Sequence, residues 1–202
     1  MSLIKLKNNA LDNLTSFEGS ASLGDMVFIS SATASSSASI EFTLGDYKEY
    51  KFFFVNMHPA TNDVTFQMNF STDNGSNYNV TKTTTTFVAY HRLNDTDASL
   101  SYYASSDLAQ STSNQILSTY GINNGNDNSL SGYLSVFNPS STTFVKHFIA
   151  RTSTENYGGA SDYSVDSSIA GYGNTTSPIN AIKFVMSSGN IDDGIIKMYG
   201  VK

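Results

Sequence analysis

Residues 63–78 read DVTFQMNFSTDNGSNY, and this stretch decides the fold. Val64, Phe66, Met68 and Phe70 alternate with Thr65, Gln67 and Asn69, the period of two that puts every second side chain on one buried face of a β-strand. The run ends in Ser71–Tyr78, which fits S-x-D-x-G-x-x-aromatic. In such a turn Asp73 caps backbone amides, Gly75 takes a positive φ and Tyr78 packs beneath. A clean strand entering a capped turn predicts a hairpin, with residues 77–86 leading out.

The same period recurs along the chain. Ile40, Phe42 and Leu44 share one face, and Tyr50, Phe52 and Phe54 oppose Lys51, Phe53 and Val55, as expected of a central strand apolar on both sides. Strands are also predicted over 79–93, 129–137, 142–151, 166–172, 181–188 and 194–202. Segments rich in Gly, Asn and Ser (123–129, 138–141, 155–161, 188–194) mark the turns. The Ser/Ala tract 30–39 reads as a loop or weak edge strand, and 105–119 is the one helix candidate. Many short strands without an internal repeat predict an all-β fold: an antiparallel β-sandwich, jelly-roll-like. Residues 1–20 are expected to be an N-terminal arm that docks or makes oligomer contacts, and 21–202 a single sandwich domain.

Composition excludes several classes. The 202 residues include no cysteine, so neither disulfides nor thiolate chemistry is available. The first residues lack the apolar run of a secretory signal, and no stretch is apolar enough to insert in a membrane. The net charge is −6 and the 11 Lys and Arg are scattered, which argues against a nucleic-acid partner. A polar, Ser/Thr/Asn-rich surface without an export signal fits a virion protein made in the host cytoplasm and released by lysis.

The turn at Ser71 also fits the Asp-box of sialidases. That chemistry needs three arginines around a carboxylate, and the chain has only Arg92 and Arg151. Asp95/Asp97 and Asp192/Asp193 are formal carboxylate pairs, but both lie in turn-like sequence where Asp caps amides. His58, His91 and His147 have no nucleophile elbow or close pairing. LNDTDAS and NNGNDNS are oxygen-rich loops without EF-hand spacing. The expectation is therefore no enzyme, no catalytic residue, no metal and no cofactor. Tyr102, Tyr103, Tyr157, Tyr163 and Tyr172 lie in or beside Gly/Ser segments and are the candidate ligand-binding residues, because an exposed Tyr offers a flat apolar face with a hydrogen-bonding tip.

Several stretches together resemble a group of small structural proteins of tailed bacteriophages, particularly marine ones. They are SLIKLKNNALDNLTSF at the start, YKEYKFFFVNMHPATNDVTFQMNFSTDNGSNYN (47–79), SGYLSVFNPSSTTFVKHFIAR (131–151) and AIKFVMSSGNIDDGIIKMYGVK (181–202). The resemblance implies a non-enzymatic virion protein on the particle exterior, a tail or fibre component contributing to host attachment. A capsid decoration (cement) protein and a carbohydrate-binding module are the alternatives. The implied partners are other virion proteins, a host surface glycan or receptor, and further copies of the chain, with a trimer expected for a fibre.

Overall fold

The computed structural model describes residues 26–157 and 162–201, with the side chains of Tyr157 and Asp162 outside that description. The expected arm, 1–20, also lies outside the described residues. The strands are β1 (Met26–Thr33), β2 (Ile40–Thr43), β3 (Glu49–Pro59), β4 (Phe66–Ser71), β5 (Lys82–Arg92), β6 (Ala98–Tyr102), β7 (Gln115–Ile116), β8 (Leu130–Phe137), β9 (Lys146–Tyr157), β10 (Asp162–Gly173), β11 (Ala181–Met186) and β12 (Ile191–Val201). They form an eight-stranded sheet, β1-β12-β3-β8-β9-β10-β5-β6, and a four-stranded sheet, β2-β11-β4-β7. Every pairing among the described residues is antiparallel. The chain is an all-β antiparallel sandwich.

Aromatic side chains fill the space between the layers. Phe52 and Phe54 project from β3, and Phe42, Phe66 and Phe184 meet them from the smaller sheet. Phe184 lies at the centre, stacked on Phe66 at 5.8 Å and edge-on to Phe54 at 5.3 Å and Phe52 at 5.4 Å. Edge-to-face rings add ~0.5–1.5 kcal/mol per pair beyond the area they bury. β3 is central in its sheet, as its two apolar faces implied, and its outward Phe53 packs edge-on to Tyr199 at 5.6 Å.

Four strands cannot cover eight, and the chain between β6 and β8 covers much of the remainder. The helix expected over 105–119 is absent. Only a 3-10 turn at Ala104–Ser106 forms, followed by extended chain. The reason is that these backbone groups bond to the sheets: Thr84 N–H to Leu108 O at 2.9 Å, Lys82 N–H to Ser111 O at 2.8 Å and Leu117 N–H to Phe66 O at 2.8 Å. Its buried Ser and Thr side chains bridge the layers, with Thr119 Oγ1 at 2.7 Å from Ser167 Oγ. Such residues are weak helix formers because their side chains compete for backbone groups.

The Ser71–Tyr78 turn is not a hairpin. β4 pairs with β11 and β7 while β5 pairs with β10 and β6, so the turn carries the chain from the smaller sheet to the larger. Its internal bonding is dense. Asp73 Oδ1 accepts from Ser71 Oγ at 2.7 Å and Asn77 N–H at 2.8 Å, and Asp73 Oδ2 accepts from Asn77 Nδ2 at 2.7 Å. Bonds from Asn77, then Ser71, hold the Asp73 carboxyl down at about 2. Asn74 and Gly75 adopt φ of 59° and 85°, and the Lys183 ammonium lies 4.5 Å above the Tyr78 ring.

Other boundaries move as well. β9 starts at Lys146 rather than 142, leaving Phe144 in a loop and 68% exposed. β6 and β7 had no signal in the sequence. Asp192 and Asp193, expected in a turn, lie inside β12.

The two ends of the sandwich differ in chemistry. Lys82 and Lys146 both face Gly173 across β5-β10-β9, and both are fully buried at the end that also carries the Asp73 turn. Lys82 Nζ donates to Asn69 Oδ1 at 2.6 Å and Val80 O at 2.7 Å; Lys146 Nζ donates to Phe144 O at 2.9 Å and Thr175 O at 3.1 Å. Each lysine thus ties loop carbonyls to the core.

Candidate binding site at the tyrosine end

The opposite end is lined by tyrosine. On the core-facing side of the larger sheet, Tyr90 and Arg92 continue the inward row of β5, and Tyr163 opens that of β10 beside Arg92. Tyr103 and Tyr120, from the covering connection, complete the group. Tyr90 is edge-on to Tyr163 at 5.3 Å and to Tyr120 at 6.0 Å, Tyr120 is parallel to Tyr163 at 6.3 Å, and Tyr103 lies 5.6 Å from Tyr120. The Arg92 guanidinium sits 4.5 Å over the Tyr163 ring, with its Nε 3.6 Å from Asp97 Oδ2. The Tyr90 hydroxyl donates to the same Asp97 oxygen at 3.0 Å, and this bond raises the Tyr90 pKa. Burial raises that of Tyr120. The rings are half-buried because the smaller sheet ends short of them.

One depression adjoins this cluster and a second lies at the same end of the larger sheet, several strands away. A recess of about 240 Å³ is lined by Leu93, Ser153, Thr154, Glu155, Tyr163 and Ser164. Thr154 Oγ1 is buried there without a hydrogen-bond partner. A larger polar cleft of about 610 Å³ includes Asn56, His58, Asp127, Asn128, Asp192 and Asp193. Two adjacent irregular strands and the loop 126–129 build it. β3 breaks register between Phe54 and Met57, with Asn56 at φ 50°, and β12 breaks register on both sides of Asp193, with Gly194 at φ 119°. Bulges of this kind re-aim side chains out of the sheet. The His58 ring nitrogen Nε2 lies 3.0 Å from Gly125 O and Nδ1 lies 3.8 Å from Asp192 Oδ2.

A tyrosine wall, hydroxyls, planar amides and carboxylates together suit a polyhydroxylated ligand: ring faces stack on apolar C–H surfaces, and fixed polar groups bond hydroxyls. Among the described residues, no group of three or more His, Asp or Glu converges as a metal ligand set. The formal carboxylate pairs have local partners. Asp95 faces His91 at 3.1 Å, Asp97 holds Tyr90, and Asp193 Oδ1 accepts from Gly194 N–H at 2.7 Å.

Of the tyrosines singled out in the sequence, the fold brings Tyr103 and Tyr163 together through Tyr120. Tyr157 ends β9, at this end of the sheet, with its side chain outside the described residues. Tyr102 stands apart on the outer face of the larger sheet, paired with Phe87 at 5.8 Å and donating its hydroxyl to Asp107. Tyr172 lies toward the lysine end beside His147, at 5.9 Å. Asp73, Gly75 and Tyr78 are at the lysine end. Tyr90 and Tyr120 carried no signal as a site, and Arg92, His58 and the Asp192/Asp193 pair entered only as candidates for catalysis or metal ligation and were set aside. Tyr90 could have been found as the continuation of the inward row Thr86, Val88; Tyr120 could not.

Comparison of the chain with protein-family models, curated proteins and solved structures finds no match.

Proposed function

We propose that the chain is a non-enzymatic structural protein of the exterior of a bacteriophage particle, a tail or fibre component whose tyrosine end contacts a glycan on the host surface. The observation that carries this reading is the placing of the Tyr90/Tyr103/Tyr120/Tyr163 cluster, the adjoining recess and the polar cleft at one end of a rigid sandwich. Binding groups on loops and strand ends of a rigid scaffold are the usual arrangement for recognition. The stretches that resemble phage structural proteins support the location, and the dense aromatic core supports a mechanical role.

Labelling purified virions with an antibody to this chain tests the location. The tail reading expects label at the tail or its fibres. Label over the capsid shell alone would reassign the chain as a decoration protein, and no label on intact particles would remove it from the exterior.

A further inference from the structure

The outer face of the eight-stranded sheet carries a second organised feature that the glycan reading does not use. One register row crosses six adjacent strands, β3-β8-β9-β10-β5-β6, as Phe53, Tyr133, Arg151, Ser168, Phe87 and Tyr102. Residues paired across an antiparallel ladder point to the same side, so all six face outward. Tyr133 is 42% exposed, Phe87 49% and Tyr102 55%. Toward the other edge the row turns polar at exposed Lys197 and Ser31, with one aromatic pair beside it, Tyr199 and Phe28, edge-on at 5.4 Å. In the next row Ile149 lies 48% exposed between Ser135 and Ala170. This is a contiguous patch across six strands rather than scattered exposed residues.

We infer that this face binds a second copy of the chain, pairing two sandwiches sheet against sheet about a two-fold axis. Three observations select that occupant. The first is charge. The chain carries −6, so two copies repel unless the faces that meet are near neutral. Along this band Arg151 is held by Asp166, with Nε–Oδ1 at 2.9 Å and Nη2–Oδ2 at 2.6 Å, and Lys51 by Glu49 at 3.0 Å. The second is the order of the row: two aromatic residues, two polar, two aromatic. A two-fold rotation lays aromatic pair on aromatic pair, the self-complementarity an isologous interface needs. The third is size. Six strands ~4.8 Å apart, over ~6 residues at ~3.3 Å each, give a face of roughly 570 Å² per partner, or about 1,100 Å² over both, above the ~1,000 Å² that a specific interface needs.

The pairing is by twos, unlike the trimer expected of a fibre, and it stands or falls independently of the glycan reading. Sedimentation velocity or native mass measurement on the full chain, across a concentration series, tests it. The wild type should be a dimer. Phe87→Glu and Tyr133→Glu, at exposed positions, should be folded monomers by circular dichroism, because each puts a carboxylate into the band. Phe144→Glu, in the loop before β9 and outside the band, should remain dimeric. A wild type that is monomeric at every concentration, a trimer, or a dimer untouched by both band substitutions would overturn the inference. So would protection of the Phe87 and Tyr133 side chains from hydroxyl-radical labelling in a monomer, which would mean the chain covers its own face.

Discussion

At the residue scale, the most informative groups are the carboxylate of Asp73 and the ammonium of Lys82. The first was legible, because an Asp two residues before a Gly, in a polar run after a strand, bonds its own turn. The second was not. Lys82 looked like an ordinary polar residue in a Thr-rich strand, and its partner Asn69 like an outward-facing one. Only the crossover between sheets buries both. Burial pushes the Lys82 pKa down from 10.5 to about 8. Below pH 8 the ammonium is charged in both folded and unfolded chains, and folding bears the full cost of burying it. Between pH 8 and 10.5 the unfolded chain holds a proton that the folded one has released, so stability rises with pH. The full rise is of order 3 kcal/mol at ~1.4 kcal/mol per pKa unit. Lys146, also lowered by burial, acts in the same direction. Tyr78, raised to about 12 chiefly by burial, acts oppositely above its ordinary value of 10.0. Denaturant midpoints should therefore increase from pH 8 to 10, and Lys82→Met should flatten the increase. A wild type without that rise would show that Lys82 is hydrated.

At the element scale, strands with strict alternation were legible, while their pairing was not. The 63–78 stretch gave the strand and the turn correctly, yet β4 and β5 part company because each finds its partners far away in sequence. The 105–119 connection was misread for a related reason: its Ser, Thr and Gln residues have buried partners on the sheets, and local periodicity cannot report those. β3 was read most completely, since two apolar faces in one strand leave only a central position. The aromatic layer it shares with β11 yields a direct test. Phe184→Ala removes the ring that touches Phe52, Phe54 and Phe66, and a fully buried Phe truncated to Ala costs ~3–5 kcal/mol. Urea unfolding should show a loss of that size, with Phe184→Leu losing much less. A loss below ~1 kcal/mol would mean that the layers do not meet at Phe184.

At the scale of the whole molecule, composition and period two pointed to an antiparallel all-β fold, and the lack of an internal repeat turned the reading from a propeller toward a sandwich. The candidate site was half legible. Tyr103 and Tyr163 stood out by their polar neighbours, but Tyr90, Tyr120 and Arg92 join them only when the sheet order is known. Tyr102 and Tyr172, chosen by the same criterion, point elsewhere. The fold also separates the two motifs that suggested glycan chemistry: the Asp73 turn is at the lysine end, and the tyrosine cluster is at the other. Binding should follow the cluster and ignore the turn. The decisive measurement is a glycan array probed with labelled wild type, Tyr163→Ala and Asp73→Ala, each checked to be folded at the assay temperature. Wild type and Asp73→Ala should bind the same glycans, and Tyr163→Ala should lose them at least tenfold, the ~1.4 kcal/mol scale of one stacked ring. A blank array for the wild type, or loss with Asp73→Ala but not with Tyr163→Ala, would contradict the account.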